Sequence, residues 1–323
     1  MKKKLLYGTL ALLLMAIASC VFLDSVDQPA SVKAGETFTI TMNCHVSVAD
    51  GGRSNERLII AFLAPKSWAA AMNSTVTYTT DNDGNGSMVP IPASVIAANN
   101  KNWPAALKDR FGMGGNYMVD DLEWVAFWST TAYNMPNGAN DNIVVTINTK
   151  AGPENTQFKT GYFLGCSTEG LSDVFGANNV YKNLFKDCFN VTDGQGDLVD
   201  FCNPQIAAFT PGNTTDNDWL TISFDPSVVQ TALEGMGNVY LCGTAYTGDG
   251  DTLTTCESTA NTLLMPYTGK KSAITIWPRA FFKAPEGKKL KKFDFFFTDA
   301  SGTVKVGFAN SSTTPFPFTF KCQ

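Results

Sequence analysis

Gln28-Pro29-Ala30-Ser31-Val32-Lys33-Ala34-Gly35-Glu36-Thr37-Phe38-Thr39-Ile40-Thr41-Met42 is the stretch that decides the fold class. From Thr37 to Met42 polar and apolar residues alternate strictly. Phe38, Ile40 and Met42 therefore share one face of a strand, and the threonines take the other. Lys33-Ala34-Gly35-Glu36 supplies the tight turn that leads into that strand. The same grammar recurs downstream at Arg57–Leu63, Thr75–Thr79, Glu123–Ser129, Asn142–Thr149 and Phe158–Cys166. It returns in the second half at Trp219–Phe224, Val239–Ala245, Ala273–Trp277 and Phe316–Cys322. Phe293-Asp294-Phe295-Phe296-Phe297-Thr298, then Asp299-Ala300-Ser301-Gly302 and Thr303-Val304-Lys305-Val306, reads as a hairpin. Aromatic residues make up 12% of the chain, and charged residues only 16%. This composition favours strands joined by turns. The expectation is an all-β protein.

Two interruptions organise the chain. Residues 92–119 lose the alternation and carry Trp103-Pro104 followed by Ala105–Phe111, which reads as an inserted loop with one short helix. Pro104 suits that helix's first turn, where its missing N–H costs nothing. Long insertions on a rigid sandwich often carry function. Residues 167–217 are rich in Gly, Asn and Asp, and the domain junction is expected near 195–215. The expected division is a β-sandwich over residues 26–200 and a second over 201–323.

The N-terminus points out of the cytosol. Lys2, Lys3 and Lys4 precede an apolar run from Leu5 to Ala18, and Ile17-Ala18-Ser19-Cys20 follows the order of a bacterial lipobox. The run is shorter than the about 20 apolar residues a membrane span needs. Residues 1–19 are read as a lipoprotein signal peptide, Cys20 as the lipidated residue, and 20–25 as a leader. Cleavage would leave 21 basic against 29 acidic residues. Such an acidic chain is a poor partner for nucleic acid or an anionic membrane surface, so the lipid must provide the anchor.

Cys44, Cys166, Cys188, Cys202, Cys242, Cys256 and Cys322 remain, an odd number in a compartment that permits disulfides. Cys166–Cys188 and Cys242–Cys256 are candidate pairs because each closes a modest loop. The plainer alternative is that most are small buried hydrophobes. No CxxC or Cys/His spacing suggests zinc.

The signatures of catalysis are sparse. His45 is the single histidine and has no nucleophile motif beside it. P-loop, HExxH and GxGxxG patterns are absent. Asp120, Asp121 and Glu123, or Asp197 and Asp200, are the carboxylates a glycosidase would draw on, set roughly 5–10 Å apart across a sugar. Asp81-Asn82-Asp83-Gly84-Asn85-Gly86 matches the first half of a calcium loop, with Asp81, Asp83 and Asn85 as ligands. The twelfth position is Pro92 instead of Glu, so a plain hairpin loop competes with the calcium reading. No other cofactor is implied.

Binding is better signposted. Flat sugar faces stack on exposed aromatic rings. Trp124 and Trp128 lie in a strand apolar on both faces and read as core. Trp103 in the insertion and Trp219, beside Asp216 and Asp218, are the candidate ligand platforms, each weighed against a plain core role. Lys270, Lys271, Arg279, Lys283, Lys288, Lys289, Lys291 and Lys292 form a basic stretch. It reads either as protection of strand edges or as a contact for an acidic partner or acidic sugar.

Several phrases carry a resemblance. The opening Gln28–Met42 is similar to the start of many immunoglobulin-like exported domains. Phe62-Leu63-Ala64-Pro65-Lys66-Ser67-Trp68, Glu123-Trp124-Val125-Ala126-Phe127-Trp128-Ser129, Lys159-Thr160-Gly161-Tyr162-Phe163, Gly196-Asp197-Leu198-Val199-Asp200-Phe201-Cys202 and Phe296-Phe297-Thr298-Asp299 together resemble an uncharacterised family of Bacteroidales-type exported lipoproteins. Such proteins are often encoded with starch-utilisation-type glycan uptake systems. The resemblance implies an outer-membrane lipoprotein, on the cell surface or on the periplasmic leaflet. It brings no catalytic or binding residues. The expectation is two β-sandwich domains, the first immunoglobulin-like with the inserted loop and helix. The expected function is non-catalytic, an accessory glycan-binding protein whose partners are glycan, outer-membrane uptake proteins, or both. A structural or adhesive envelope protein that binds another protein is the alternative, and a glycoside hydrolase a more remote one.

Overall fold

The computed structural model describes residues 19–48, 52–168, 170–171 and 180–321. Residues 1–18 of the expected signal peptide at 1–19 lie outside them, as do the side chains of Ser19, Cys20 and Asp197 and all of Cys322. The chain forms two compact units, Met1–Cys202 and Asn203–Gln323. The fold is all-β, each unit built of sheet layers packed around its own core.

The first unit contains β1 (Ser19–Asp27), β2 (Ser31–Lys33), β3 (Thr37–Val48), β4 (Arg53–Glu56), β5 (Leu58–Pro65), β6 (Ser74–Thr80), β7 (Gly86–Pro90), β8 (Ile96–Ala98), β9 (Lys101–Asn102), helix α1 (Trp103–Phe111), β10 (Leu122–Ser129), β11 (Tyr133–Met135), β12 (Asn140–Lys150), β13 (Glu154–Cys166), β14 (Tyr181–Thr192) and β15 (Gln195–Asp200). One continuous sheet runs β1-β3-β12-β6-β7-β10-β5-β13-β14-β2, with β15 on β13. A twisted sheet this wide curls instead of staying flat. Short β7 bridges β6 and β10, and the sheet folds there into two layers around one core. The alternation read at Phe38, Ile40 and Met42 places all three in that core.

β5 is buried at every position, because both of its faces are covered. Phe62 and Phe127 stack inward. On the outer face α1 lies over the sheet, with Trp103 against Phe163 and Phe111 against Trp124. Burial on both faces is why the strand reads as a continuous apolar run. Asn102 caps α1 by accepting from the Ala105 N–H at 3.1 Å, and Pro104 sits in the first turn as expected. The insertion is therefore a lid on the core.

β1 corrects the expected leader. Residues 20–25 belong to an antiparallel ladder with β3, and Cys20 pairs through its backbone with Ser47. The chain then crosses layers. Lys186 Nζ donates to Val26 O at 2.6 Å, the Thr160 hydroxyl donates to Gln28 Oε1 at 3.0 Å, and β2 joins β14 in parallel. This stitching ties the first strand to the far end of the same sheet and covers an edge that would otherwise invite pairing.

The second unit contains β16 (Ala207–Thr210), β17 (Leu220–Phe224), β18 (Tyr240–Thr247), β19 (Thr252–Thr255), β20 (Met265–Pro266), β21 (Ser272–Ile276), β22 (Leu290–Thr298), β23 (Lys305–Val306) and β24 (Phe316–Thr319). Its sheets run β16-β17-β21-β20 and β19-β18-β22-β23, with β24 on β22. Phe293, Phe295 and Phe297 all point inward from β22 and meet Phe316, Phe318 and Phe320. The hairpin expected from Phe293 to Val306 forms, but β22 pairs with β23 only at Phe297↔Val306 and Thr298↔Lys305. Asp299 closes its turn by accepting from Ser301 and from the Val304 N–H at 3.0 Å.

Cys242 bonds Cys256, as the loop spacing suggested. Cys188 bonds Cys202 and not Cys166, which is buried at the end of β13. Antiparallel β13 and β14 put Cys188 opposite Lys159, seven residues from Cys166, so the two cysteines lie at different heights in the ladder. Among the described residues no helix is long and apolar enough to cross a membrane.

Candidate functional site

Three exposed aromatic residues, Trp219, Tyr267 and Trp277, lie on the second unit. In β17 and β21, Leu220 faces Ile276 and Ile222 faces Ile274, and all four point into the core. By alternation Thr221, Ser223, Ala273 and Thr275 occupy the outer face. Trp219 and Trp277 stand one residue beyond the Leu220↔Ile276 pair, on that outer face, and are 67% and 41% exposed. Toward the other edge of the same sheet Met265 and Tyr267 are 59% and 66% exposed. Large apolar side chains gathered on a solvent face mark an interaction surface.

A cleft of about 590 Å³ opens beside the tryptophans, within the roughly 300–1,000 Å³ usual for ligand sites. Trp219, Trp277 and Thr275 line it, and Glu257, Asn261 and Lys283 add a carboxylate, an amide and an ammonium to the same lining.

The supports of both rings are held in place. Trp277 Nε1 donates to Asn217 Oδ1 at 3.2 Å. The Asp218 carboxylate accepts from the Thr215 N–H at 2.8 Å and from the Thr215 hydroxyl at 2.7 Å. Those bonds, the backbone one foremost, hold its pKa below the usual carboxylate range. Buried Asp216 accepts from Arg279 at 3.1 Å and from the Leu290 N–H at 2.9 Å. Across the cleft, the Thr255 hydroxyl donates to Phe281 O at 2.9 Å and anchors the short helix Pro278–Phe281. Among the described residues no aromatic ring stacks on Trp219 or Trp277, so their outward faces remain open to a ligand.

The other candidate residues fall elsewhere. Trp103 is 2% exposed, packed on Phe163 beneath the insertion, and offers no platform. The insertion's apolar residues cover the two-sided strands, which is a core role. Trp124 is buried as expected, and Trp128 lies under the Arg57 guanidinium at 5.0 Å. His45 stacks on Phe22 with ring centres 4.2 Å apart, and its Nδ1 lies 2.8 Å from Asp24 Oδ2. Among the described residues no hydroxyl or thiol bonds to it.

The calcium loop is a polar hairpin turn between β6 and β7. Asp81 Oδ2 accepts from Asn142 at 2.7 Å, and Asp83 faces Asp141. Desolvation first, then the Asp141 charge, pushes the Asp83 carboxyl upward. Among the described residues no group of three His, Cys, Asp or Glu side chains is placed to hold a metal.

Of the candidate glycosidase acids, the Asp197 side chain lies outside the described residues. Asp120 pairs with Lys108 at 3.4 Å, while Asp200 is buried and accepts from the Cys202 N–H. Four of the eight cations of the basic stretch are paired in place. Lys271 pairs with Asp225, Arg279 with Asp216, Lys288 with Asp249 and Asp251, and Lys292 with Asp294.

Trp277 is the site residue that strand counting passed over. Its parity, opposite to Ile274 and Ile276, was the available signal. Its juxtaposition with Trp219 needs the β17–β21 register.

Residues 21–205 match the family model described as a domain of unknown function, DUF4961, and residues 207–306 match a second such model, DUF8578. No curated protein matches the chain. Among solved structures the chain is similar to the pilus 2b backbone protein of group B streptococcus, at 13% identity over 92% of this chain and 89% of that one, with a TM-score of 0.23. It is also similar to a partial N-terminal region of an enterococcal surface protein, at 7% identity over 89% and 91%, with a TM-score of 0.27. A third is AvmM, which catalyses macrocyclisation in alchivemycin A biosynthesis, at 9% identity over 56% and 91%, with a TM-score of 0.28. Likeness at this level carries nothing about activity.

Proposed function

The chain belongs to the DUF4961 family, and we propose that it is a non-catalytic, adhesive binding protein of the bacterial envelope that takes a saccharide chain on its second domain. The observation that carries this reading is the Trp219–Trp277 pair, set on one solvent face beside a cleft that also holds Glu257, Asn261 and Lys283. Aromatic faces stack on the apolar side of a pyranose, and amide and charged groups then bond its hydroxyls. The non-catalytic part of the proposal is supported by His45, the single histidine, to whose ring no hydroxyl or thiol bonds among the described residues. The Lys2–Cys20 sequence supports acylation at Cys20 and attachment to the outer membrane.

Titration calorimetry of the protein against a polysaccharide panel tests the saccharide reading. Binding to at least one member is expected, with Trp219→Ala and Trp277→Ala each weakening it at unchanged melting temperature. Well-folded protein that binds none of them refutes it. Mass spectrometry of the N-terminal peptide tests acylation, and protease shaving of whole cells identifies the leaflet.

A protein partner is the second reading. Exposed Met265 and Tyr267 on the same face favour it, because they extend the apolar surface away from the cleft. Cross-linking that captures an envelope protein, lost in Tyr267→Ala and retained in Trp219→Ala, would replace the saccharide reading with this one.

A further inference from the structure

Lys270, Lys283, Lys289 and Lys291 are the cations of the basic stretch that take no ion-pair partner among the described residues. Two of them stand in clefts of the second unit. Lys283 lines the aromatic cleft. Lys289 lines a second cleft, of about 420 Å³, together with Thr215, Asp216, Asn217 and Arg279. Both lysines are exposed, so a ligand can reach them.

A hydrogen bond joins the two clefts. Trp277 lines the first and Asn217 the second, and Trp277 Nε1 donates to Asn217 Oδ1 at 3.2 Å. The amide oxygen is thereby engaged. Its Nδ2 group can donate two hydrogens and takes no partner among the described residues. Charge then distinguishes the clefts. In the aromatic cleft the Glu257 carboxylate offsets Lys283. In the second, buried Asp216 already accepts from the Arg279 guanidinium at 3.1 Å and from the Leu290 N–H at 2.9 Å. The Lys289 ammonium is left as surplus positive charge. Asp218 is in neither lining, and its carboxylate is occupied by Thr215. A chain with 24 basic and 29 acidic residues repels polyanions in bulk, so an anion is drawn only to a local surplus of this kind.

We propose that the saccharide taken by the second domain is acidic. One ring stacks on Trp277, and a carboxylate or sulfate ester on the adjoining ring enters the second cleft, where Lys289 Nζ and Asn217 Nδ2 donate to it. This rests on the saccharide reading of the aromatic cleft and specifies its ligand. An anionic oxygen only accepts, which suits two groups that only donate, and bonds to ionised groups are the stronger kind. A neutral hydroxyl would serve Lys289 no better than water does.

Calorimetry of the full protein with two matched pairs tests the proposal. One pair is an oligogalacturonate and its methyl ester, and the other is dextran sulfate and dextran. In at least one pair the acidic member is expected to bind about five- to tenfold more tightly, the range of one exposed charge-assisted contact. Preference in the first pair alone identifies a carboxylate, in the second alone a sulfate ester, and in both an anion of either kind. Lys289→Met should bring the acidic member's affinity down to that of the neutral one. The side chain is exposed and unpaired, so the fold is unaffected. Lys270→Met removes the same charge from a residue in neither lining and should leave the preference intact. Trp277→Ala should weaken both members of a pair. Equal binding of acidic and neutral members overturns the proposal and leaves the saccharide reading standing. A preference that survives Lys289→Met, or that Lys270→Met reduces as much, also overturns it. So does failure of both acidic members to bind. If no other polysaccharide binds either, the saccharide reading falls with it.

Discussion

Phe295→Ala tests whether the chain's two cores are energetically distinct. Phe295 is fully buried on β22, with ring centres 5.8 Å from Phe209, 5.6 Å from Phe293, 5.4 Å from Phe297 and 5.2 Å from Phe316. Truncation removes the transfer energy of the ring and leaves a cavity that four surrounding rings cannot all fill. The expected loss is about 4 kcal/mol, within the range for large-to-small core changes. The unit Asn203–Gln323 has an unfolding entropy near 0.25 kcal/mol/K at about 2.1 cal/mol/K per residue. Its transition should therefore fall by roughly 16 °C. The buried cluster of the first unit draws only on residues up to Phe201, and that of the second begins at Ile206. Differential scanning calorimetry should accordingly show two transitions, of which only one moves. Phe127→Ala, fully buried in the first unit, should move the other. A single transition that shifts as a whole, or a shift under about 5 °C, would refute the reasoning.

Gly307→Ala should destabilise the second unit by more than about 2 kcal/mol, since a Cβ there presses into the Thr314 carbonyl oxygen and the Phe296 ring. Denaturant titration checks this, and an unchanged midpoint would show that the segment gives way. For Asp225, desolvation acts upward, but the Ser227 hydroxyl and N–H and the Lys271 ammonium outweigh it and hold the carboxyl below its ordinary range. A depressed folded pKa contributes stability that is full above the unfolded value of about 3.9 and is lost as pH falls through the folded one. The stability difference between wild type and Asp225→Asn should therefore shrink as the pH drops below about 4. A difference that stays constant between neutral pH and pH 2.5 would count against the Ser227 and Lys271 contacts. Burial first, and then the Asp24 charge, pushes the Cys44 thiol up to about 12. It should resist iodoacetamide at pH 8 and react on unfolding, as read by peptide mass. Rapid labelling of folded protein would contradict its place in the core.

The strands were legible where one face meets the core and the other meets solvent, as at Thr37–Met42 and Leu220–Phe224. Period-two alternation then records burial directly. β14 was not legible, because Tyr181–Thr192 mixes half-exposed apolar and charged residues along an edge. The insertion's helix was legible from Pro104, but not the purpose of Trp103. A large ring in a polar loop looks like a platform until the strands it covers are shown to need cover on both faces. Residues 20–25 looked like a leader because they are short and precede the clear alternation. Only pairing with β3 makes them a strand.

The sequence by itself determined that the chain is built of strands, that it breaks near residue 200, that Cys242 can reach Cys256, and that its first twenty residues follow the pattern of an export signal. These properties depend on neighbours within a few residues or on the span of one loop. Tertiary structure alone decided that Cys188 meets Cys202, that Trp103 is core, that Trp277 joins Trp219, and that Asn217, bonded to Trp277, shares a cleft with Lys289. Each of these depends on strand register or on the meeting of distant segments. Register is set by the packing of the whole sheet, because a slip of one residue would send every side chain of a strand to the opposite face.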